Sequence, residues 1–295
     1  MPATDTAARR ATGGPPPRAD FDRRAEQAER RRLLHDLREA IARESFVLHF
    51  QPRLSLATGL ADGAEALLRL PHRRRGIISP GAFIPLAERT GLINDIGGWV
   101  LRTACREAAT WPSRITVSVN VSPRQLHDRV LIGQVARALD QSGLAADRLE
   151  LELTESMLID FDEDVLFTLS AFRDLGTGLA LDDFGIGFAS LATLRKLPLT
   201  VMKLDRSLVR GLPDDPEDAA IVRAVTATGH ALGLTVVGEG IETKAQRDFL
   251  AAIGTDQGQG YLFGRPVPAA ELRLRLEEEG GAAGPLASRQ SLTSR

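Results

Sequence analysis

The stretch FVLHFQPRLSLATGLADGAEALLR, residues 46–69, holds two runs rich in apolar residues with a short segment between them. That segment, SLATGLAD, carries the pair Thr58 and Gly59, which is suited to a tight turn. It is too short to hold a crossover helix, and neighbouring parallel strands need such a crossover. We therefore expect the two runs to pair as an antiparallel hairpin.

Beyond the hairpin, short apolar or β-branched runs alternate with longer segments of helical apolar spacing. The eight predicted strands are 46–52, 63–69, 115–121, 149–155, 178–183, 200–205, 234–239 and 258–263. The predicted helices are 98–110, 129–142, 163–174, 217–232 and 244–253. This alternation indicates an α/β protein with helices outside a mostly parallel sheet. Eight strands favour a modified TIM (β/α)8 barrel with an antiparallel first strand; an open doubly wound sheet is the competing architecture.

The two ends of the chain differ in composition from the segment between them. Residues 1–20 are rich in Pro, Gly and Ala, and residues 280–295 are poor in large apolar side chains, so we expect both tails to be disordered. Residues 21–45 are charged and carry leucines at helical spacing, which predicts a surface or linker helix. The barrel domain is then expected to span residues 46–279.

Composition and charge narrow the class of protein. The chain has 43% hydrophobic and 26% charged residues, the balance of an ordinary globular protein. Its net charge of −2 creates no global field for nucleic acid or an anionic membrane, and no apolar run is long enough to cross a bilayer. The single cysteine, Cys105, cannot form an internal disulfide. We expect a cytoplasmic protein with no nucleic-acid or membrane partner.

Oxygen-bearing side chains collect where the predicted strands end. The set comprises seven carboxylates and two amides: Glu65, Asn120, Glu152, Glu155, Asp182, Asp183, Glu239, Glu242 and Gln259. Gln259 differs from the others in that it begins the last predicted strand, together with the only tyrosine, Tyr261. Because the carboxyl ends of parallel strands converge on one mouth of a barrel, we expect these residues to share a pocket. So many carboxylates would repel one another without cations between them. Oxygen ligands without His or Cys suit Mg²⁺ or Mn²⁺.

Two features of this set indicate a type of chemistry. The adjacent carboxylates Asp182 and Asp183 are suited to a site with two metal ions, as in two-metal phosphoryl transfer. Lys203 is one of only three lysines among the 37 basic residues, and its compact ammonium suits a phosphate or an attacking water better than the fork of an arginine. Any one of these acidic residues alone is more often a solvated loop residue or a helix cap. Together they indicate metal-assisted hydrolysis of a phosphoester and leave the ester open.

The same residues lie in motifs that resemble those of the EAL-domain family of cyclic di-GMP phosphodiesterases. The motifs follow one another between about residues 34 and 270: FQP (50–52), EAL (65–67), FIP (83–85), VNVS (119–122), LELTES (151–156), DDFG (182–185), KLD (203–205), EGIE (239–242) and QGY (259–261). Each motif is short, but their joint occurrence in the family's order is specific. The resemblance also implies a barrel with a reversed first strand, which the hairpin predicts independently.

The resemblance implies three groups of site residues. The metal ligands would be Glu65, Asn120, Glu152, Asp182, Asp183 and Glu239. The catalytic residues would be Lys203, Glu239, Glu155 and Glu242. The residues that contact the dinucleotide would be Gln51, Arg69 and Gln259. The implied reaction opens cyclic di-GMP to linear pGpG and uses two ions of Mg²⁺ or Mn²⁺.

The loop after the DDF motif departs from the family pattern. It reads DDFGIGFAS at 182–190 where the family has DDFGTGYSS, so Ile186, Phe188 and Ala189 each lack a hydroxyl and its hydrogen bond. Glu155 would tether this loop, which the family links to a dimer interface, so the resemblance implies a homodimer. An alternative is a catalytically weak or inactive EAL protein that acts as a cyclic di-GMP receptor or a protein-interaction module. The helix at 21–45 resembles a linker to an upstream module or a separate regulatory partner.

Overall fold

The structure, a computed structural model, describes residues 18–158, 162–185 and 191–281. Its strands are β1 Val47–Ser55, β2 Ala61–His72, β3 Gly76–Ile78, β4 Thr116–Asn120, β5 Leu149–Thr154, β6 Gly178–Phe184, β7 Val201–Leu204, β8 Thr235–Gly238, β9 Gln257–Gln259 and β10 Val267–Pro268. Its α-helices are α1 Arg18–Ala42, α2 Pro80–Thr90, α3 Ile93–Ala108, α4 Pro123–Leu126, α5 Val130–Ser142, α6 Glu163–Asp174, α7 Leu191–Leu194, α8 Arg206–Arg210, α9 Pro216–Ala231, α10 Lys244–Ala252 and α11 Ala269–Gly281.

Eight of these strands close into a barrel in the order β1–β2–β4–β5–β6–β7–β8–β9. The sheet returns to its first strand because β1 pairs with both β2 and β9. The pairings from β2 round to β9 are parallel, whereas β1 is antiparallel to both of its barrel neighbours. The predicted barrel with a reversed first strand is confirmed, and the open doubly wound sheet is excluded.

The direction of β1 decides which of its residues reach the mouth of the barrel. Val47 lies opposite Arg69 and Gln51 lies opposite Glu65 across the hairpin. Since Arg69 is near the carboxyl end of β2, β1 begins at the end of the barrel where the parallel strands finish. Gln51 and Glu65 are therefore brought together near that mouth, and the hairpin turn lies towards the opposite end.

The helices that flank the barrel begin and end close to the predicted positions. α3, α5, α6, α9 and α10 occupy the five predicted helical segments. Side chains of Asp162, Asp215 and Thr243 accept backbone N–H groups at the starts of α6, α9 and α10, which satisfies donors that a helix start leaves unpaired. Apolar faces of these helices pack on the outer surface of the barrel, so the main apolar core lies between strands and helices.

The interior of the barrel is polar, in contrast to the branched apolar layers that usually fill a TIM barrel. Only a small apolar cluster, Ala180, Val201 and Val237, is found there among the described residues. Ala180 and Val201 lie two positions before Asp182 and Lys203 on the same strands, Val237 lies two positions before Glu239 just past the end of β8, and residues two apart on a strand share a face. The fully buried Lys203, which follows Val201 in this way, is one such residue. The strands therefore direct charged side chains inward.

The predicted last strand, 258–263, is wrong in its second half. β9 ends at Gln259, and the chain then turns. A side chain at position 260 would place its Cβ only 2.1 Å from the backbone oxygen of Ile241, so Gly260 is what allows this close contact. Tyr261, expected near the start of that strand, instead lies in the turn and is 47% exposed. The apolar residues of this segment therefore belong to a turn and not to a strand.

The helix before the barrel, α1, begins at Arg18 and ends at Ala42, close to the charged helix predicted for 21–45. Leu37 and Ala40 of α1 are buried, and the helix packs against α2. The predicted disordered tails, 1–20 and 280–295, lie almost wholly outside the described residues. None of the helices in the described ranges has an apolar segment with the composition of a membrane span.

Candidate metal centre

The carboxylates predicted from the strand ends converge at the mouth of the barrel around one ammonium group. Lys203, on β7, is completely buried. Its Nζ atom lies within ion-pair distance of four carboxylate oxygens: Glu239 Oε1 at 2.6 Å, Glu152 Oε2 at 3.0 Å, Asp182 Oδ1 at 3.1 Å and Glu65 Oε2 at 4.0 Å. These residues come from four different strands or strand ends, so the site exists only in the closed barrel. We call Lys203 and these four residues the carboxylate layer.

Amide side chains hold the Glu65 end of the carboxylate layer. Asn120, at the end of β4, donates from Nδ2 to Glu65 Oε1 at 2.7 Å. Gln259, at the end of β9, donates from Nε2 to Glu65 Oε2 at 2.6 Å and to Gln51 Oε1 at 3.3 Å. Gln51 in turn donates to the carbonyl oxygen of Gly264 at 3.2 Å. Glu65 is thus fixed from both sides of the barrel seam, where β1 joins the two ends of the parallel sheet.

Neighbouring charges and burial shift the pKa values of the carboxyl groups in different directions. Burial alone would raise the pKa of Glu65, but the Lys203 ammonium and the amide donors outweigh it and hold that pKa below its usual value. Burial raises the pKa of Glu152 well above its usual value, and the neighbouring carboxylates Glu65 and Asp182 add to this effect. Burial likewise raises the pKa of Glu239 to about 7. The carboxylates outnumber the single cation, so the layer favours additional positive charge.

The cation itself is stabilised by the same neighbours. Burial would lower the pKa of Lys203, but the surrounding carboxylates, with Glu152 and Glu239 foremost, raise it well above its usual value. Lys203 therefore remains protonated, and its charge is shared among four acidic partners. One ammonium cannot neutralise four carboxylates.

The residues present fit divalent cations. Oxygen atoms of Asp182, Asp183 and Glu239 all lie within 4.8 Å of one another, a spacing from which one ion can be bound. Glu152 Oε1 is buried and has no hydrogen-bond partner in the described part of the chain, and such an atom is usually paired. The donors are oxygen atoms, which hard cations such as Mg²⁺ and Mn²⁺ prefer.

The last part of β6 is shaped to bring two adjacent carboxylates, Asp182 and Asp183, to the mouth. Asp183 has φ +58°, in the left-handed region that a residue with a Cβ seldom adopts, and such strain is concentrated at functional sites. Burial and the adjacent Asp182 carboxylate raise the pKa of Asp183. Glu155, which is buried, accepts the N–H of Gly185 at 3.1 Å. Glu155 therefore holds the chain immediately after the acidic pair.

The remaining predicted site residues, Arg69 and Glu242, differ in how they are placed relative to the carboxylate layer. Arg69 is half-buried on β2, donates to the carbonyl oxygen of Leu68 at 2.9 Å, and interacts electrostatically with Glu65. Glu242 follows β8 with an exposed side chain, and only its backbone N–H has a described contact, to Gln246 Oε1 at 2.8 Å. The structure does not bring Glu242 into the buried set. The altered loop residues Ile186, Phe188 and Ala189 lie outside the described residues.

A cavity of about 710 Å³ opens beside the acidic residues. Glu65, Asn120 and Asp183 form its polar edge. Its remaining wall is largely apolar and includes Leu67, Leu68, Ile84, Pro85, Ile93, Ile96, Val100 and Met157. A mostly apolar cavity with a few convergent polar groups is the usual form of a small-molecule site.

One polar pair in the barrel interior was not predicted. Arg53 on β1 and Glu150 on β5 are both buried and form an ion pair of 2.6 Å. The sequence carried a signal for Glu150, because the alternation in LELEL places Glu150 and Glu152 on the same face of one strand. Arg53, directly after the predicted first strand and two positions from Gln51, was a second signal.

Comparisons with known proteins identify a family that this chain matches. A model of the EAL domain matches residues 34–266. The bifunctional diguanylate cyclase/cyclic di-GMP phosphodiesterase MucR of Pseudomonas aeruginosa is 43% identical over 252 residues, which cover 84% of this chain and 37% of that protein. The cyclic di-GMP phosphodiesterase NbdA of the same species is 42% identical over 258 residues, which cover 86% of this chain and 33% of that protein. The chain thus spans about a third of the length of these curated relatives.

Two solved structures are also similar to this chain in fold and sequence. The PaMucR phosphodiesterase in its c-di-GMP complex aligns with a TM-score of 0.78 and 43% sequence identity, covering 82% of this chain and 99% of that one. The EAL enzyme Bd1971, in its cAMP- and cyclic-di-GMP-bound form, aligns with a TM-score of 0.80 and 27% identity, covering 88% of this chain and 72% of that one.

Proposed function

The chain belongs to the EAL domain family, and on that premise we propose that it is a phosphodiesterase that hydrolyses cyclic di-GMP to linear pGpG with Mg²⁺ or Mn²⁺. The observation that carries this proposal is the carboxylate layer: three buried acidic side chains and the half-buried Glu239 share one lysine, and a second, overlapping group of oxygen ligands includes Asp183. Burying several carboxylates together costs folding free energy, because they repel one another. A function in metal binding accounts for that cost.

Two groups of ligands would hold two ions. Glu65, Glu152 and Asp182, with the amide oxygen of Asn120, would hold one, and Asp182, Asp183 and Glu239 would hold the other. When bound, such ions polarise a phosphodiester and lower the pKa of a coordinated water. In this arrangement Asp182 would serve both ions, and the strained backbone at Asp183 brings the second carboxylate to the same edge.

The protein's own groups would handle the proton and the developing charge. In the reaction, water adds to one phosphorus, one P–O3′ bond breaks, and the released 3′ oxygen takes up a proton. Glu239, whose burial raises its pKa to about 7, can accept a proton from the attacking water at Oε2, since its Oε1 faces the Lys203 ammonium at 2.6 Å. Lys203 then supplies fixed positive charge beside the phosphate.

The cavity beside the layer would bind the dinucleotide. Its polar edge lies at the metal ligands and its apolar wall suits the face of a base. Gln51, Gln259 and Arg69 would contact the substrate, and the first two already form one hydrogen-bonded chain to Glu65. The substrate is supported by the similarity to PaMucR, whose structure is a c-di-GMP complex.

Further parts of the proposal concern assembly and cellular setting. We include a homodimer and a cytoplasmic location, and a regulatory partner or upstream module that acts through α1. Phe167 on α6 is 55% exposed and Leu191 on α7 is 57% exposed, and large apolar side chains on a surface favour burial against a second chain. The barrel domain itself is proposed to span 46–279.

The test is a hydrolysis assay with purified protein, cyclic di-GMP and either Mg²⁺ or Mn²⁺, with products separated by chromatography and identified by mass. We expect pGpG to form and EDTA to abolish it. Glu152→Gln should lower turnover at least 100-fold, and Glu277→Gln, an exposed residue of α11, should leave it unchanged.

The outcomes separate the candidate activities. Binding of cyclic di-GMP without conversion under both metals would refute the phosphodiesterase and support a receptor. Conversion of another cyclic or linear diester in preference to cyclic di-GMP would correct the substrate. Full turnover by Glu152→Gln would refute its place among the metal ligands.

A further inference from the structure

A second charged layer lies inside the barrel directly beneath the carboxylate layer. Arg53 Nη1 donates to Glu150 Oε1 at 2.6 Å, and Arg53 Nη2 donates to Thr116 Oγ1 at 3.0 Å. Ser118 Oγ donates to the same Glu150 oxygen at 2.8 Å. Arg53 is only 2% exposed and Glu150 only 5%. We call these four residues the arginine layer.

Each strand of the arginine layer, β1, β4 and β5, also carries a residue of the metal centre. On β4, Ser118 precedes Asn120 by two positions, and on β5, Glu150 precedes Glu152 by two positions. On the reversed β1, Arg53 follows Gln51 by two positions. Residues two apart on a strand point to the same face and are separated by about 7 Å along it. Each contact in the lower layer therefore constrains a site residue in the upper one.

The Arg53 side chain crosses the barrel from β1 to β5 over two intervening strands. Gly63, opposite Arg53 on β2, leaves the room for this path, because a Cβ at that position would lie 2.9 Å from Arg53 Nη2 and 2.7 Å from Thr116 Oγ1. A larger residue at 63 would displace the guanidinium. Gly63 on one side of the barrel and the Glu150 carboxylate on the other therefore both determine the path of the Arg53 side chain.

We propose that Arg53 and Glu150 are positioning residues that set the distance between β1 and β5 and thereby the placement of Gln51 and Glu152 in the metal centre. The inference deepens the proposed function and rests on it for the roles of those two residues. Neither Arg53 nor Glu150 is proposed to touch substrate or metal.

Stability alone is a poor account of this pair. Replacing a buried ion pair by well-packed apolar residues is often neutral or stabilising. An apolar filling of this interior is feasible, since the neighbouring positions Ala180, Val201 and Val237 already provide one. The Arg53 guanidinium instead holds Glu150 and Thr116 through two different nitrogens, which fixes direction as well as distance, and apolar contacts do not do this.

The test compares metal affinity with stability. The double variant Arg53→Met/Glu150→Met places unbranched apolar side chains at both positions, with methionine close to glutamate in length and shorter than arginine, and removes both charges together. We expect its unfolding midpoint in urea to stay near that of the wild type, while its dissociation constant for Mn²⁺, measured by calorimetry without nucleotide, rises about 10- to 100-fold, as for lost supports of metal ligands. Arg53→Lys keeps the charge, loses the fork that reaches both Glu150 and Thr116, and should give an intermediate rise.

Arg148→Met is the matched control. Arg148 donates to the carbonyl oxygens of Ile115 and Ala108 and has no contact with the site, so this variant should lose stability and keep its Mn²⁺ affinity. Wild-type Mn²⁺ affinity in the double variant, or in Arg53→Lys if the double variant does not fold, overturns the inference. An equal loss of affinity in Arg148→Met also overturns it. If the wild type binds Mn²⁺ but does not hydrolyse cyclic di-GMP, the proposed function fails, and the Mn²⁺ affinities still decide the positioning role.

Discussion

Replacement of Lys203 by methionine gives the sharpest test of how the carboxylate layer is held together. The methionine side chain fills nearly the same space and removes the ammonium that lies among four carboxylates. Lys203 is fully buried, so solvent cannot take over its role. In the absence of metal, the folded variant must either keep the carboxylates charged against one another or take up protons.

The size of the effect follows from burial. Removing one partner of a buried ion pair costs about 3–5 kcal/mol, and four partners lose their cation here, so we expect the upper part of that range. At about 2–4 °C per kcal/mol for a domain of this size class, the melting temperature should fall by roughly 10–20 °C in EDTA at pH 8. Mn²⁺ replaces the missing charge, so it should raise the melting temperature of the variant more than that of the wild type.

The effect should depend on pH with a definite sign. Lys203 lowers the pKa of Glu152 and of Glu239, so its removal raises both pKa values further above the roughly 4.3 of an unfolded glutamate. A carboxyl whose pKa is raised by folding supports stability at low pH, and this support is lost as the pH rises through the folded value. The deficit of Lys203→Met should therefore be small near pH 5 and full near pH 8.

Thermal unfolding followed by circular dichroism, in EDTA and in Mn²⁺, at both pH values, measures these effects. Lys196→Met, which alters an exposed lysine, controls for the loss of one positive charge. A deficit below about 2 °C in EDTA at pH 8, or one that is equal at pH 5 and pH 8, would refute the account of Lys203 as the cation of the layer.

Three further changes test other parts of the fold. Burial raises the pKa of Asp62 to about 6, so wild-type stability should fall as pH rises through 6, and Asp62→Asn should recover up to about 3 kcal/mol in urea unfolding at pH 8; equal curves at pH 5 and 8 for both proteins would contradict this. Gly260→Ala should lower the melting temperature sharply because its Cβ would lie 2.1 Å from the Ile241 oxygen, whereas Gly81→Ala, with open space around it, should not; similar melting of the two would disprove the contact. Asp215→Ala should cost about 1 kcal/mol in urea unfolding, because the side chain caps α9, and Asp215→Asn should restore most of it; no difference between them would reject the cap.

Local patterns were sufficient for the architecture. The short connection at Thr58 and Gly59 forced an antiparallel hairpin, and the structure has one between β1 and β2. The regular alternation of strand and helix then left a closed barrel as the simplest way to bury the strands. These inferences succeed because turn length and periodicity act over a few residues.

Local sequence patterns did not predict the side-chain contacts inside the barrel. The strand ends predicted that the acidic residues converge, but not that Lys203 contacts four of them or that Gln259 donates to Glu65. The partnership of Arg53 with Glu150 joins residues 97 positions apart, and only the shear of the closed barrel brings them together. The wrong extension of the last strand has a similar cause, because Gly260 meets Ile241, a tertiary contact that no local pattern encodes.

Because β1 is reversed, a movement of α1 would be transmitted to the end of the barrel that holds the metal centre. In a barrel whose strands all run one way, a helix preceding the first strand joins the floor, far from the chemistry. Here α1 connects to Val47 at the working rim, and Gln51 lies only four residues further, about 13 Å along an extended strand. A displacement of α1 would therefore arrive at the rim itself, where Val47 lies opposite Arg69 and Gln51 lies opposite Glu65.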